Sequence, residues 1–178
     1  MSKNNHKTVL TAPNLKRLGA YIIDFIILYL AYFVFFTLFG VTVENPASAP
    51  VFLGAVVVAL VYRIVVPYFA FRGERKGMTV GKFAMGLKMI MANGQAVTLP
   101  SLIIRSLFFL LIEGFEVMAL LYFMNAIAAF GFVEIVYLAY MNMTIAMASI
   151  VLMIINPSHR MLHDYVANTV VILAKQPS

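Results

Sequence analysis

Four long apolar runs constrain the fold of this chain more than any other feature. The clearest covers residues 18–39, where Asp24 is the only charged side chain, and similar runs cover 51–71, 102–123 and 132–155. A helix of about 20 apolar residues crosses a hydrocarbon core of about 30 Å. The sequence therefore predicts an all-α polytopic membrane protein with four transmembrane helices.

Composition excludes a water-soluble monomer. Of the 178 residues, 63% are hydrophobic and 11% are charged, whereas soluble domains have about 45–50% apolar and about 25% charged residues. We therefore expect the chain to be surrounded by membrane lipid. The net charge of +6 is dispersed between apolar runs. That pattern is typical of residues that fix membrane orientation, so no nucleic-acid partner is expected.

The distribution of Lys and Arg predicts the orientation. Basic residues concentrate in 1–17, 72–101 and 156–178, and the connections 40–50 and 124–131 contain none. Because basic loops stay on the cytoplasmic side, both termini are predicted to be cytoplasmic. We expect a multi-pass protein of the inner (plasma) membrane, composed of an N-terminal tail over 1–17, a transmembrane domain over 18–155 and a C-terminal tail over 156–178.

The cytoplasmic segment 72–101 is too charged to cross the membrane. Residues 79–88 have the apolar spacing of a short amphipathic helix that lies at the membrane surface. Asn93-Gly94 readily supplies the two positive φ angles of a type I′ turn, which predicts a small β-hairpin over 87–98. A β-branched run at 169–172 can add a third strand beside that hairpin.

Charged residues inside the first two runs require partners. Asp24 and Arg63 each lie about 9 Å from the cytoplasmic ends of their helices, and each alone costs about 2.5–3.5 kcal/mol at a helix centre. A facing pair or a shared hydrated pocket is therefore expected. Arg17 lies about 20° from Asp24 around the helix and can reach the same carboxylate. Two interpretations stay open: a cation or proton site whose occupancy competes with an arginine, and an ion pair that fixes helix packing.

Polar stripes also mark the third and fourth runs. Glu113 and Glu116 share a face of the third helix, and Asn142 and Ser149 share a face of the fourth with Glu134. Such stripes face a bundle interior or a subunit interface, because lipid leaves polar groups unsatisfied. Two neighbouring carboxylates in low dielectric hold a proton between them, as a proton-coupled carrier requires. The alternative is hydrogen bonding within a homo-oligomer, and we expect an oligomer with Glu113 and Glu116 near its axis.

Catalytic residues, cofactors and metal ions are not expected. The chain has no Cys, and its Gly-rich segment 73–86 lacks the spacing of a phosphate-binding loop. His159 and His163 stand one helical turn apart beside Asp164, but no third metal ligand lies at a suitable spacing. The chain is therefore not expected to be an enzyme.

Several short motifs, taken in order, resemble the RDD family. They are Arg17 with Asp24 in the first helix, Gly77-Met78-Thr79-Val80-Gly81-Lys82, Gly86-Leu87-Lys88, Asn93-Gly94, Arg105, and His163-Asp164 followed by Thr169-Val170-Val171. The family is named for one arginine and two aspartates, which the resemblance places at Arg17, Asp24 and Asp164. Asn168 stands where a glycine often precedes the Thr, a mild change because Asn tolerates a left-handed backbone.

The resemblance implies an integral membrane protein. Some members are similar to sodium, lithium or potassium/proton antiporters, and others are suggested to export compatible solutes. The leading hypothesis is therefore membrane transport, as cation/proton antiport or related small-solute export. The alternative is a non-transporting scaffold or assembly factor that docks partners through its cytoplasmic segment. The candidate residues for binding monovalent cations and protons are Arg17, Asp24, Arg63, Glu113, Glu116 and Asp164.

Reporter fusions test the predicted orientation. Fusions at Ser48 and Ala128 are expected outside the cytoplasm and fusions at Asn93 and Ser178 inside it, because only the second pair adjoins basic segments. Alkaline phosphatase, which is active outside, and a fluorescent protein, which matures inside, are placed at the same positions so that each reporter controls the other. A single position on the opposite side contradicts the four-span arrangement.

Overall fold

A computed structural model describes residues 11–41, 49–71, 73–113 and 132–174. This part of the chain is mostly helical, with six α-helices and one two-stranded sheet. In chain order the elements are α1 (Asn14–Leu38), α2 (Ala49–Leu60), α3 (Val80–Ala84), β1 (Leu87–Met91), α4 (Leu99–Phe108), α5 (Phe132–Ile155), α6 (Leu162–Val166) and β2 (Thr169–Leu173). Helix α2 continues as a π-helix over Val61–Ala70, and α4 continues as a π-helix over Phe109–Glu113.

Two helices in the described residues are long and apolar enough to cross a membrane. They are Asn14–Leu38 and Leu53–Ala70, with mean hydropathies of 2.1 and 2.0. Helix α5 has the bounds expected for the fourth span, and the expected third span is described only as far as Glu113. The apolar helices agree with a membrane protein, while the number of spans and their orientation stay predictions.

Helix α1 buries one face, which contains the charged side chains Arg17 and Asp24 as well as apolar side chains. Its buried positions recur about once per turn and are Arg17, Ala20, Asp24, Leu28, Tyr32 and Phe36. Ile22, Ile26 and Phe33 point outward and are about half exposed. This is the reverse of a soluble amphipathic helix, because lipid solvates the apolar face and polar groups find partners only inside the protein.

Proline explains the change of helix type in the second span. Pro67 has no backbone N–H and cannot continue the regular i→i−4 ladder, and it lies within the π-helix Val61–Ala70. Its own carbonyl accepts the N–H of Gly77 at 2.8 Å. The end of the second span is thereby tied to the loop that leads into α3.

The sheet joins two distant parts of the sequence. Strands β1 and β2 pair antiparallel, with Leu87 opposite Leu173 and Met89 opposite Val171. The β-branched strand expected near 169–172 is therefore confirmed. Leu87 and Val171 pack with Ala20 of α1 in one buried apolar cluster, so the sheet is fixed against the first helix.

The hairpin at Asn93-Gly94 differs from the expected one. Gly94 has a positive φ of 85°, whereas Asn93 is not among the described residues with positive φ, so the expected type I′ turn is wrong. The N–H of Met91 bonds to the carbonyl of Gln95, and the N–H of Gly94 bonds back to Met91. These bonds close a three-residue loop with Gly94 at the left-handed position. The returning arm is reduced to a single bridge between Ile90 and Ala96, while Ile90 also pairs with Val170 of β2.

Helix α3 is shorter than the expected helix over 79–88. It ends before Gly86, whose φ of +66° breaks the helix, and Leu87 already belongs to β1. Phe83 is 46% exposed, and Gly81 is buried. The apolar face of α3 therefore points outward, and its glycine packs inward.

Two glycines with the same backbone conformation test the packing of the loop before α3. Gly77 (φ +87°) and Gly94 (φ +85°) both disfavour a side chain, but a Cβ at Gly77 meets the Met89 carbonyl oxygen at 2.3 Å while Gly94 faces open space. We expect Gly94→Ala to cost about 1 kcal/mol and Gly77→Ala to cost at least about 3 kcal/mol. Thermal unfolding in detergent measures both, and equal losses contradict the packing described here.

Candidate functional site

Helices α1, α3, α4 and α5 and the π-helix after α2 surround one cavity of about 370 Å³. Most of its wall is apolar. The acidic, basic and histidine side chains that line it are Arg17, Asp24, Arg63, Lys82, Arg105 and His163. The structure thus places Asp24 and Arg63 at a shared pocket, as expected from their matching depth.

The Asp24 carboxylate is held by three short hydrogen bonds. Its Oδ1 accepts from the Tyr62 hydroxyl at 2.5 Å and from the Gly81 N–H at 2.8 Å, and its Oδ2 accepts from the Thr79 hydroxyl at 2.5 Å. The side chain is 8% exposed. These donors compensate for the loss of water around a buried carboxylate.

Lys82 supplies a positive charge beside this carboxylate. Its Nζ lies 3.9 Å from Asp24 Oδ2 and donates to the Thr79 hydroxyl at 3.3 Å. Burial lowers the pKa of Lys82 to about 8, with Arg105 and Arg63 acting in the same direction and Asp24 opposing them. The lysine can therefore lose its proton close to physiological pH.

Gly81 allows α3 to approach α1 closely enough to build this arrangement. A Cβ at Gly81 stands 2.1 Å from the Ala20 carbonyl oxygen and 2.8 Å from the carboxyl group of Asp24. Thr79 caps the helix by accepting the N–H of Lys82 while donating its own hydroxyl hydrogen to Asp24. The motif from Gly77 to Lys82 is thus the local structure that holds Asp24.

A second charged cluster lies around Asp164, which is fully buried. Its Oδ2 accepts from Arg17 Nη2 at 2.7 Å, and its Oδ1 accepts from Arg105 Nη1. Arg105 also donates to the Thr169 hydroxyl at 2.8 Å and to His163 Nε2 at 2.7 Å. Because Arg105 has only donors, this contact requires the His163 tautomer with its hydrogen on Nδ1.

The electrostatics of Asp164 favour its charged form. Burial by itself raises the pKa of a carboxyl group, but the adjacent positive charges of Arg105 and Arg17 hold the pKa of Asp164 well below its usual range. The carboxylate also accepts the N–H of Met161 at 3.1 Å, at the start of its own helix. Asp164 is therefore a permanently charged link between α1, α4 and α6.

The partner expected for Arg17 is corrected by the structure. Its guanidinium binds Asp164, not Asp24, because pairing of β2 with β1 brings α6 to the N-terminal end of α1. Arg63 has its guanidinium carbon 4.2 Å from the centre of the Phe109 ring. His159 and His163 separate as well: His159 Nδ1 contacts the Met153 carbonyl, and His163 contacts Arg105.

The candidate carboxylates of the third and fourth runs are not described. Glu116 and the side chains of Glu113 and Glu134 lie outside the described residues. The stripe on α5 is partly resolved: Asn142 donates to the Ile112 carbonyl at 2.7 Å, and Ser149 accepts the Leu162 N–H at 3.0 Å. These two side chains make hydrogen bonds within one chain, and the expected homo-oligomer stays a prediction.

Sequence reasoning missed several residues of the site. The sequence analysis includes Lys82 and Arg105 only as members of the motifs that resemble the family. Nothing in the sequence indicates that Tyr62 binds Asp24, apart from its position next to Arg63. Thr79 was identified at a helix start, which gave no indication that its hydroxyl binds Asp24. Within the described part of the chain, no three His, Asp or Glu side chains cluster as a metal site would require.

Comparison with known proteins adds one finding. A model of the RDD family matches residues 11–168, a range that includes Arg17, Asp24 and Asp164. No curated protein and no solved structure matches the chain significantly. The family resemblance of the sequence motifs is thereby confirmed.

Asp164→Asn tests the buried link. Without the negative charge, Arg17 and Arg105 keep their charges in a buried site, and breaking such a pair costs about 3–5 kcal/mol. Arg160→Gln is the matched control, because Arg160 donates to the Asp164 backbone carbonyl and lies over the Tyr165 ring without binding the Asp164 carboxylate. Its loss is expected to cost about 1 kcal/mol. Thermal unfolding in detergent compares the two variants.

The pH dependence of stability provides the second readout. A carboxyl group whose folded pKa lies below its unfolded value of about 3.9 contributes stability that is complete above about pH 5 and is lost as pH falls toward the folded pKa. The wild-type protein is expected to lose stability below that pH, and the Asp164→Asn variant is expected to lose less. Identical acid profiles contradict the link.

Proposed function

Since the chain belongs to the RDD family of membrane proteins, we propose that it is a carrier that exchanges a monovalent cation for a proton, with Asp24 as the cation-binding carboxylate. One observation carries the proposal: Lys82 Nζ lies 3.9 Å from Asp24 Oδ2, and both side chains line one cavity. A lysine and a monovalent cation are alternative counter-ions of the same carboxylate. Binding of one therefore disfavours binding of the other.

The exchange balances in charge and in protons. In one state the Lys82 ammonium neutralises Asp24. In the other state Lys82 Nζ has released one proton to water in the cavity, and sodium, lithium or potassium occupies the position beside Asp24 Oδ2. One cation thus replaces one proton, and the net charge of the site does not change.

The neighbouring groups suit such a cation. Hard cations prefer oxygen ligands, and the Asp24 carboxylate lies beside the hydroxyl oxygens of Tyr62 and Thr79. A hydroxyl can rotate from donor to acceptor. The same groups can therefore bind the carboxylate when the cation is absent and the cation when it is present.

Export of a small zwitterionic solute is the second candidate. The cavity of about 370 Å³ falls within the range of about 300–1,000 Å³ that is common for small-molecule sites. Its opposite charges at Asp24 and Lys82 complement an ammonium and a carboxylate on one solute. In either case the proposal includes four spans in the inner membrane, cytoplasmic termini and a homo-oligomer, and it assigns no enzymatic activity.

Asp24→Asn separates transport from folding. The amide keeps an oxygen that accepts from Tyr62 and Gly81, and its NH2 group can donate to the Thr79 hydroxyl, which reverses that hydrogen bond. It has no charge to hold a cation. We expect thermal stability within about 1 kcal/mol of wild type and loss of proton movement when sodium, lithium or potassium is added to proteoliposomes that contain a pH indicator. Wild-type flux through a stable Asp24→Asn protein removes Asp24 from the mechanism. Silence of the wild-type protein towards cations and betaine alike favours the scaffold alternative.

Lys82 variants test the coupling. With the pKa of Lys82 at about 8, cation binding is expected to strengthen as pH rises through 8, because the competing ammonium is lost. The charges that act on Lys82 are Asp24, Arg63, Arg105 and Asp164. Lys82→Arg, which stays charged, is expected to abolish exchange, and Lys82→Gln is expected to bind the cation without this pH dependence. A rise through pH 8 that persists in Lys82→Gln contradicts the assignment.

A further inference from the structure

The cluster around Asp164 contains more positive than negative charge. Arg17 and Arg105 both direct hydrogen bonds to one carboxylate, and His163 accepts from Arg105. The Arg17 side chain is only 7% exposed, and its Nη1 atom is buried with no hydrogen-bond partner among the described residues. One guanidinium face is therefore buried without an acceptor.

An unsatisfied donor on a buried charged group is costly. Buried polar groups in native proteins are almost always hydrogen-bonded, so an exception indicates an additional ligand. Arg17 lines the cavity, and a negatively charged acceptor in the cavity both accepts a guanidinium hydrogen bond and offsets the excess positive charge of the cluster. Phosphate fits this requirement, because guanidinium groups bind phosphate oxygens through strong charge-assisted hydrogen bonds.

The remaining wall of the cavity indicates what carries the phosphate. Leu15 and Leu18 of α1 and Ile154 of α5 line the cavity, yet they are 82%, 52% and 61% exposed. The apolar wall is thus continuous with the outward surfaces of two helices that face lipid. A ligand with a charged head and apolar chains satisfies both parts of this wall, whereas a free ion leaves the apolar part uncovered.

We propose that this cavity binds an anionic phospholipid, with its phosphate beside the Arg17 guanidinium and its acyl chains along Leu15, Leu18 and Ile154. Arg17 lies two helical turns before Asp24, about 10 Å along α1. The lipid phosphate and the Asp24 carboxylate therefore occupy separate ends of the cavity. The proposal does not rest on cation exchange, and it holds for a carrier or a scaffold.

Native mass spectrometry of the delipidated full-length protein tests the site. The probes are phosphatidylglycerol, phosphatidylcholine and inorganic phosphate, each added in mild detergent. We expect phosphatidylglycerol to bind at least about tenfold more tightly than phosphatidylcholine. Both lipids carry a phosphate, but the quaternary ammonium of phosphatidylcholine cancels its charge and is repelled by the excess positive charge of the cluster. Inorganic phosphate is expected neither to bind comparably nor to displace the lipid. Equal affinity for the two lipids overturns the proposal, and displacement by inorganic phosphate reassigns the site to the free ion.

Substitutions at Leu15 locate the binding without disturbing Arg17. Leu15 is highly exposed, so Leu15→Glu and its neutral control Leu15→Gln are both expected to fold, as thermal unfolding verifies. Leu15→Glu places a negative charge on the cavity wall and is expected to weaken phosphatidylglycerol binding about tenfold, while Leu15→Gln leaves it within about twofold. Equal binding by the two variants places the lipid elsewhere and overturns the proposal.

Discussion

The salt bridge of Asp164 with Arg17 and Arg105 is the interaction on which the rest of the structure depends. It joins the start of α1, the middle of α4 and the short helix α6, at sequence separations of 147 and 59 residues. A buried carboxylate between two arginines is stable only when its geometry is complete, because the loss of any one member leaves a buried charge uncompensated. The pairing of β1 with β2 places α6 at this position, and the packing of Leu87 and Val171 on Ala20 holds the sheet there.

Two aspartates in one protein have different roles because their partners differ. Asp164 is paired with two arginines, which stay protonated at physiological pH. The positive charges beside its carboxylate therefore do not change. Asp24 is paired with hydroxyl groups and a lysine. Hydroxyls rotate, and burial lowers the pKa of Lys82 to about 8. Asp164 is therefore suited to hold helices together, and Asp24 is suited to exchange one cation for another.

The cavity has one charged end near Arg17 and another near Asp24, and the rest of its wall is mostly apolar. Near Arg17 it has an excess of positive charge and an open connection to outward-facing side chains such as Leu15. Near Asp24 it has oxygen ligands and a balanced pair of charges. In the two proposals, a lipid phosphate offsets the excess positive charge at one end, and a small cation replaces the Lys82 ammonium beside Asp24 at the other. Occupation of the lipid site would neutralise the charge that Arg17 contributes to the cavity.

The sequence alone determined the membrane class and identified Arg17, Asp24 and Asp164 as candidate residues. It also predicted the bounds of the fourth apolar helix, Phe132–Ile155, because hydropathy and charge within a run are local properties. It also predicted that Asp24 and Arg63 share a pocket, since their depths match. Only the tertiary structure decided the pairing of these charges. Arg17 binds Asp164 because a strand far along the chain pairs with β1, and Lys82 lies beside Asp24 because Gly81 has no Cβ to keep the two backbones apart. Both contacts join residues distant in sequence, and helical periodicity carries no information about which distant segment packs against a given face.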